Sequence, residues 1–246
     1  MRLEGKTALV TGGASGFGAG IARAFRAEGA RVMIADVNAE AVEAMAVVLD
    51  AQFVVADVSD GDSVDHMVTA ALGALGPLDI LVNNAGVTHL PQALEDVAED
   101  EFDRVLRVNV RSIYLTARSV VPEMKARGRG TILNIASTAG LSPRPRLSWY
   151  NASKGWVITA TKAMAVELAP AGVRVNALCP VAGETPLLKS FLGEDTPETR
   201  AKFLATIPLG RFSTPQDLGA AAAFLCSDEA SMLTGVALEV DGGRCI

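Results

Sequence analysis

The stretch Tyr150-Asn151-Ala152-Ser153-Lys154 combines two residue types that can move a proton. The chain from Tyr150 to Ala169 is apolar and rich in alanine, which predicts a helix. A spacing of four places Tyr150 and Lys154 on the same helix face, one turn apart. Free tyrosine has a pKa near ~10, so a neighbouring cation must lower it before the phenolate can act as a base at neutral pH. The two side chains therefore form a candidate acid–base pair.

Taken alone, this pair carries little weight. Lowering the tyrosine pKa by ~3 units takes roughly 4 kcal/mol of differential interaction, of which one lysine supplies only a part. A Tyr and a Lys one turn apart also occur on the surface of many helices that have no catalytic role. The interpretation depends on whether the rest of the chain provides the other components of a site.

A glycine-rich turn follows the first predicted strand, Thr7 to Val10. The turn reads Thr11-Gly-Gly-Ala-Ser-Gly-Phe-Gly18, and apolar residues at helical spacing follow it up to Gly29. Glycines let the backbone approach a pyrophosphate, and the start of the next helix offers free N–H groups. The spacing differs from Gly-x-Gly-x-x-Gly, and a plain strand-to-helix turn is the alternative. The candidate nucleotide contacts here are Gly12, Ser15, Gly16, Phe17 and Gly18.

The second predicted strand, Arg31 to Ala35, ends at Asp36. A carboxylate about 20 positions beyond a glycine turn accepts hydrogen bonds from both hydroxyls of a ribose and repels a 2′-phosphate. No Arg or Lys follows at once, and Ser15 stands where a basic residue would meet that phosphate. The sequence therefore favours NAD over NADP. The alternative role for Asp36 is a cap for the next helix, which starts near Asn38.

Two more predicted strands end in residues suited to ligand contact. Asp57 and Val58 follow the strand 52–56 and are expected beside an adenine edge. Asn83-Asn84-Ala85-Gly86 follows the strand 78–82. In open α/β sheets, ligands bind at the carboxyl ends of the strands. Asn84, Ala85 and Gly86 are therefore candidate cofactor contacts.

Strands and helices alternate along the chain, which predicts an α/β fold: a doubly wound parallel sheet of about seven strands with helices on both faces. Further strands are expected at 131–136, at 173–178 and near 238–240. Long helices are expected at 99–127 and 215–225. The length of 246 residues suits a single domain spanning 1–246.

Composition narrows the class of protein. The net charge is −6 and the pI is about 5.0, which argues against a nucleic-acid partner. The 3 cysteines are widely spaced and predict neither a metal cluster nor a disulfide framework, so we expect a reduced, cytoplasmic protein. No run of ~18 apolar residues predicts a membrane span, and no signal peptide is evident.

At this point the sequence resembles the short-chain dehydrogenase/reductase family over essentially its whole length. Each matching motif is modestly specific, but their order and separations together are very specific. The motifs are Thr11-Gly-x-x-x-Gly-x-Gly18, Asn83-Asn-Ala-Gly86, Asn109, Ser137 and Tyr150-x-x-x-Lys154.

The resemblance implies a catalytic role for four residues. Tyr150 would exchange a proton with the substrate oxygen, and Ser137 would hydrogen-bond that same oxygen. Lys154 would bind the nicotinamide ribose and lower the pKa of Tyr150, and Asn109 would hold a water that links Lys154 to solvent. The cofactor carries the hydride chemistry, and no metal is required.

The loop after the sixth predicted strand departs from the family pattern. The family has Pro-Gly here, whereas this chain has Pro180 followed by Val181, and its glycine, Gly183, comes two positions later. Thr185 keeps its place, so Pro180 and Thr185 remain candidate cofactor contacts. The segment near 185–212 is expected to form a substrate lid.

Candidate substrate contacts lie after the Asn83–Gly86 motif, before Tyr150 and in the lid. An arginine here would attract an anionic substrate through a charge-assisted pair, although solvated loop arginines are the favoured reading. For the histidine, a place on a polar rim is favoured over a role in orienting substrate. The candidates are His89, Ser137, Arg144, Arg146, Trp149 and Leu187.

A narrower resemblance points to zinc-independent alcohol dehydrogenases of toluenesulfonate degradation, which oxidise a benzyl-type alcohol bearing a sulfonate. Relatives of this type also act on sugars or aliphatic alcohols, so the resemblance does not fix the substrate. The stretches that carry it are 83–89, 183–186, 207–211 and 242–246.

The leading hypothesis is an NAD-dependent alcohol dehydrogenase or carbonyl reductase that acts on a small alcohol, ketone or aldehyde. The alternatives are an NADP-linked 3-oxoacyl thioester ketoreductase, against which Asp36 argues, and a non-catalytic nucleotide-binding module. Family members are usually homotetramers, and the apolar surface of 99–127 and 148–169 fits assembly through helices.

Overall fold

Seven parallel strands form one sheet in the computed structural model, which describes residues 1–246. The order across the sheet is β3-β2-β1-β4-β5-β6-β7. The chain winds outward in both directions from β1 and β4, so their carboxyl ends flank a crevice. The strands are β1 (Thr7–Thr11), β2 (Arg31–Asp36), β3 (Gln52–Val55), β4 (Ile80–Asn83), β5 (Gly130–Ile135), β6 (Val173–Pro180) and β7 (Ala237–Val240).

Helices cover both faces of this sheet. One apolar core joins α1, α2 and α9 to one face, and a second joins α3, α5 and α6 to the other. The helices are α1 (Gly16–Ala27), α2 (Ala39–Leu49), α3 (Gly61–Leu75), α4 (Glu99–Leu106), α5 (Ser112–Arg127), α6 (Ser148–Leu168), α7 (Leu188–Leu192), α8 (Pro197–Leu204) and α9 (Pro215–Cys226). The doubly wound α/β fold predicted from the sequence is confirmed.

The burial of the strands explains why the sequence predicts them well. All five residues of β1 are buried, as are all four of β4, because helices lie on both sides of the sheet. A strand buried on both faces appears in the sequence as a continuous apolar run. None of the helices has the length and apolar character needed to cross a membrane.

One predicted helix differs from the structure. The segment 99–127 is not uniform, because a π-helical segment at Arg107–Arg111 separates α4 from α5. Asn109 lies inside this wider turn, and its side-chain amide bonds to both backbone groups of Val87. Such bulges inside helices are often found at functional sites.

Candidate active site

A cavity of about 660 Å³ opens at the carboxyl ends of the strands. It extends from Asp36 at the end of β2 to Tyr150 in α6. Of the residues predicted to bind cofactor, all but Gly18 line it. The lining set is Gly12, Ser15, Gly16, Phe17, Asp36, Asp57, Val58, Asn84, Ala85, Gly86, Tyr150, Lys154, Pro180 and Thr185.

The glycine turn at one end of the cavity needs its glycines. Gly16 has φ of +53°, a conformation that other residues rarely adopt. A Cβ on Gly18 would lie 2.1 Å from the carbonyl oxygen of Gly12, so Gly18 shapes the turn without reaching the cavity. The first turn of α1 has no acidic residue and no side-chain cap, which leaves its N–H groups for an anion.

Two polar side chains brace the same end of the cavity. The carboxylate of Asp36 accepts the backbone N–H groups of Ala14 and Asn38, both at 3.2 Å. The amide nitrogen of Asn84 donates to the carbonyl oxygens of Thr11 and Gly12, at 2.9 and 3.0 Å. The acidic side chain therefore has a fixed place on the cavity wall beside the glycine turn.

These residues fit a dinucleotide. A helix N-terminus without a competing carboxylate suits a pyrophosphate, and a fixed carboxylate at the end of β2 suits a ribose diol. The cavity is continuous from this carboxylate to Lys154, so one extended ligand can reach both ends. This part of the structure is therefore a candidate dinucleotide site.

Three side chains at the other end of the cavity are almost fully buried. Ser137, Tyr150 and Lys154 are each 5% exposed. Lys154 Nζ donates to the carbonyl oxygen of Ile135 at 2.8 Å and lies 6.0 Å from the centre of the Tyr150 ring. Ser137 Oγ accepts the N–H of Ala139 at 3.1 Å. The loop after β5 and the first turn of α6 thus bring the predicted catalytic groups to one wall.

Burial controls the acidity of these groups. It raises the pKa of Tyr150, against the opposing effects of a hydrogen bond with Ser137 and of the Arg144 charge. Burial also lowers the pKa of Lys154 to about 8. The resemblance implied that Lys154 lowers the pKa of Tyr150, but in this structure Lys154 is not among the groups that do so.

A hydrogen-bonded chain connects the π-helical segment to the catalytic helix α6. Asn109 Nδ2 donates to the Val87 carbonyl oxygen at 2.9 Å and to Ser153 Oγ at 3.0 Å, and Asn109 Oδ1 accepts the Val87 N–H at 2.8 Å. Ser153 Oγ in turn donates to the carbonyl oxygen of Tyr150 at 2.7 Å. Because these protein groups engage the Asn109 side chain, its proposed water-binding role stays a prediction. Sequence reasoning missed Ser153, although it stands between Tyr150 and Lys154.

The unusual loop after β6 keeps Thr185 beside the glycine turn. A Cβ on Gly16 would lie 3.1 Å from Cβ of Thr185. Gly183 packs against the Phe17 ring, where a Cβ would lie 2.2 Å from Cζ. Val181, which occupies the position of the family glycine, is buried among the aromatic side chains of the lid. The departure from the family pattern therefore leaves the cavity open.

Two of the predicted substrate residues, Ser137 and Leu187, lie on the cavity wall. His89 is 1% exposed rather than on a polar rim; its Nδ1 lies 2.8 Å from the Leu90 carbonyl oxygen, and its Nε2 has no partner. Trp149 Nε1 donates to the Leu94 carbonyl oxygen at 3.1 Å, outside the cavity.

The two predicted arginines differ from each other. Arg146 is exposed, as expected for a loop arginine. Arg144 is half-buried, with its guanidinium carbon 4.5 Å from the centre of the Phe191 ring and 4.8 Å from that of Phe203. The favoured reading of Arg144 as a solvated residue is therefore wrong, because two aromatic rings from the segment 185–212 enclose it.

Several lining residues were not predicted. Most lie a few residues beyond a predicted strand, so the rule that ligands meet strand ends would have found them. Arg104 and Arg107, near the Asn109 motif, had no such signal. The unpredicted lining residues include Val37, Ser59, Val87, Arg104, Arg107, Val108, Val181, Ala182 and Gly183, whereas Pro186, Leu188 and Phe191 lie in the predicted lid.

Comparison with known proteins agrees with this geometry. A family model described as enoyl-(acyl carrier protein) reductase matches residues 12–244. The chain is 50% identical to 4-formylbenzenesulfonate dehydrogenase of Comamonas testosteroni, with 100% of each chain covered. It is 38% identical to 2-(S)-hydroxypropyl-CoM dehydrogenase 3 of Xanthobacter autotrophicus, covering 98% of this chain and 97% of that one.

A solved structure supports the same assignment. It is that of 3-ketoacyl-(acyl-carrier-protein) reductase from Brucella melitensis complexed with NADH, which is 53% identical with a TM-score of 0.94. The alignment covers 99% of this chain and 100% of that one. The chain belongs to the short-chain dehydrogenase/reductase family of oxidoreductases, and the relatives named above act on alcohols and carbonyl compounds.

Proposed function

We propose that this protein is an NAD(H)-dependent oxidoreductase that interconverts a small alcohol and the corresponding ketone or aldehyde. The observation that carries the proposal is the cavity itself. One of its ends holds Asp36 and the glycine turn, and the other holds Ser137, Tyr150 and Lys154. This combination suits a dinucleotide whose reactive end meets a proton donor and acceptor.

Tyr150 acts as the general acid and base. In the oxidation direction, its phenolate accepts the proton of the substrate hydroxyl, and in reduction its hydroxyl returns that proton to the carbonyl oxygen. Ser137 donates a hydrogen bond to the same oxygen and stabilises the negative charge that develops there. The burial of both side chains keeps water from competing for these bonds.

Lys154 has a second role beside Tyr150. Its ammonium group, half-neutralised near pH 8 because of burial, would hold the ribose hydroxyls of the nicotinamide nucleotide. When bound, the nicotinamide supplies the hydride acceptor or donor. The groups that oppose the effect of burial on the pKa of Tyr150 in this structure are Ser137 and Arg144.

The preference for NAD over NADP rests on Asp36. Its carboxylate, fixed by two backbone N–H groups, would accept bonds from the ribose diol and repel a 2′-phosphate. Ser15, the neighbouring lining residue of the glycine turn, offers no positive charge. The relative from Brucella melitensis is described as complexed with NADH, which supports the same cofactor here.

The direct test mixes purified protein with NAD⁺ or NADP⁺ and a panel of primary and secondary alcohols, and follows formation of the reduced cofactor. We expect turnover with NAD⁺ and tighter binding of NAD⁺ than of NADP⁺ by calorimetry. Tighter binding of NADP⁺ would remove the role given to Asp36. Binding without turnover on a broad panel would favour a non-catalytic nucleotide-binding module instead.

A second enzymatic function is favoured by two descriptions. The family model is described as an enoyl-(acyl carrier protein) reductase, and the solved relative as a 3-ketoacyl-(acyl-carrier-protein) reductase. A 3-oxoacyl thioester ketoreductase, whether linked to NADP or to NAD, is therefore the alternative. Acetoacetyl thioester reduction with NADPH and with NADH, measured beside the alcohol panel, separates the two functions.

We also propose that the protein is cytoplasmic and forms a homotetramer through α5 and α6. These helices leave large apolar side chains at the surface: Tyr114 is 57% exposed, Trp156 41% and Val166 80%. A contiguous patch of such side chains would mark an interface. Light scattering coupled to gel filtration should give the mass of four chains; a monomer mass would contradict the proposal.

A further inference from the structure

Two arginines that contact the aromatic rings of the lid have no acidic partner. Arg144, in the loop before α6, and Arg244, near the end of the chain, form no ion pair within 4.0 Å. In the same region, Arg200 and Arg211 are each paired with an aspartate. Among the arginines packed on the aromatic rings of the lid, Arg144 and Arg244 therefore differ from Arg200 in having no carboxylate partner.

The surroundings of Arg144 hold its guanidinium group in place. The group is packed against the rings of Phe191 and Phe203, and its Nη1 makes one long bond, 3.4 Å, to the Phe191 carbonyl oxygen. The guanidinium carbon of Arg244 lies 6.0 Å from the centre of the same Phe203 ring. Stacking on a ring uses the face of a guanidinium and leaves the N–H donors at its edge available.

Two unpaired cations around one ring are electrostatically costly. Burial lowers the pKa of Arg144, and the charge of Arg244 lowers it further. Half-buried charges without counter-charges are uncommon because desolvation is not offset. An oxyanion between them would provide charge-assisted hydrogen bonds and neutralise the repulsion.

The distances connect Arg144 to the reacting group. The Phe191 ring lines the cavity and packs edge-to-face on the Tyr150 ring, with centroids 5.9 Å apart. The Arg144 guanidinium carbon is 4.5 Å from the Phe191 centroid, so its distance from the Tyr150 centroid cannot exceed the sum of these two values. A molecule with one aromatic ring or a short chain bridges a separation of this size.

We infer that Arg144, assisted by Arg244, binds an oxyanion group of the substrate, a carboxylate or a sulfonate. The substrate is a small alcohol or aldehyde whose reacting oxygen meets Tyr150 and Ser137, and whose anionic end meets Arg144. Its body packs against Phe191. This inference rests on the proposed function and names the class of substrate that the same site takes.

The experiment compares three alcohols of one shape: benzyl alcohol, 4-(hydroxymethyl)benzoate and 4-(hydroxymethyl)benzenesulfonate. For each, kcat/KM with NAD⁺ is measured for the unmodified protein, for Arg144→Gln, for Arg244→Gln and for Arg146→Gln. Arg146 is the matched control because it lies two residues away in the same loop and is exposed. The quantity of interest is kcat/KM for each anionic alcohol divided by that for benzyl alcohol. This ratio cancels any general effect on the lid or on Tyr150.

We expect the unmodified protein to prefer at least one anionic alcohol. Arg144→Gln should lower the ratio roughly 10- to 100-fold, as loss of a charge-assisted bond does, chiefly by raising KM. Arg244→Gln should lower it by less, and Arg146→Gln should leave it within about twofold. The carboxylate and sulfonate arms show which oxyanion the site prefers.

Two results would overturn the inference. The first is an unmodified protein that prefers the neutral alcohol. The second is an Arg144→Gln variant that loses activity equally on all three, which would mean that Arg144 only supports the lid. Calorimetry with benzoate, benzenesulfonate and neutral benzamide provides a test without turnover. Anion binding that depends on Arg144, without turnover of any alcohol, would support this inference and contradict the proposed function; equal binding of benzamide and the anions would overturn the inference.

Discussion

The two walls of the cavity are held in place by different forces. The catalytic wall, formed by Ser137, Tyr150 and Lys154, is held by hydrogen bonds. The Ser137 hydroxyl accepts the N–H of Ala139, the Tyr150 carbonyl oxygen accepts the Ser153 hydroxyl, and Lys154 Nζ donates to the carbonyl oxygen of Ile135. The lid wall, formed by residues 185–212, is held mainly by packed aromatic rings whose centroids lie about 6 Å apart. Hydrogen bonds fix a direction, whereas apolar packing tolerates small shifts.

This difference suggests a division of labour within one site. Proton transfer requires a donor and an acceptor within a few tenths of an ångström of a set geometry, and the catalytic wall provides that constraint. Substrate selection requires a surface of suitable shape and charge, and the lid wall can change without disturbing the reacting groups. Changes in the catalytic wall should therefore reduce turnover, and changes in the lid wall should alter substrate affinity.

The largest effect is expected from Tyr150→Phe. Removing the hydroxyl takes away the general acid and base, a contribution of roughly 10²- to 10⁴-fold, and we expect a loss of kcat near the upper end. NAD⁺ affinity should change by no more than a few-fold. Tyr114→Phe is the control, because Tyr114 is exposed and distant from the cavity. An active Tyr150→Phe variant would remove Tyr150 from the mechanism.

A pH-dependent stability is expected from Lys154. The pKa of its ammonium group is about 8 in the folded chain and 10.5 as the ordinary value. Between these values the unfolded chain binds the proton and the folded chain does not, so stability rises with pH. The contribution is complete above pH 10.5, is lost as pH falls through 8, and amounts to at most about 3 kcal/mol.

Urea unfolding of the unmodified protein and Lys154→Met across this pH range measures the contribution. The difference between the two unfolding free energies should increase with pH. Subtraction removes the opposite trend of the buried thiols of Cys179 and Cys226, whose pKa burial raises to about 12. Lys162→Met, an exposed change in the same helix, should show no such difference. A constant difference for Lys154→Met would show that the catalytic wall does not desolvate its lysine.

A smaller effect is expected from Ser153→Ala. The substitution removes the bond to the Tyr150 carbonyl oxygen and leaves Asn109 Nδ2 with one partner. We expect a loss of about 1–2 kcal/mol in the free energy of unfolding and a kcat several-fold lower, with KM little changed. Ser231→Ala, at an exposed position, is the control. If stability fell while kcat stayed constant, the hydrogen-bonded chain would support the fold but not the reaction.

The smallest effect on turnover is expected from Phe191→Leu in the lid wall. Leucine keeps an apolar contact with Tyr150 but loses the edge-to-face packing, a change of about 1 kcal/mol. KM should rise roughly 3- to 10-fold while kcat stays within about twofold. Phe53→Leu, at a partly exposed site in β3, provides the control. A fall in kcat comparable to that of Tyr150→Phe would break the distinction between the two walls.

The regular part of the fold was predictable from the sequence. Strands such as β1 and β4 are buried on both faces and appear as short apolar runs between glycine- and asparagine-rich turns. The end of β2 at Asp36 followed from the same pattern. The parallel sheet then brings these strand ends together, which is why most of the predicted cofactor contacts line one cavity.

The lid wall was not predictable in the same way. Arg144 lies in a proline-rich loop, where a charged side chain is normally solvated, and its burial depends on Phe191 and Phe203 far along the chain. Apolar residues of the short helices α7 and α8 pack in one cluster with Leu147 and Val181, which lie in other parts of the chain. Contacts between such distant residues leave no local periodicity.

The π-helical segment at Arg107–Arg111 changes which residues share a face on the two sides of it. Each α-helical turn takes 3.6 residues, so one wider turn has the effect of a one-residue insertion, and the faces before and after it no longer follow one continuous pattern. Arg104 of α4 and Arg107 of the π-helical segment line the cavity, while Leu115 and Val120 of α5 are buried in the core. The segment 99–127 therefore meets the cavity with its first part and the core with its second, and the change of helical phase lies between them.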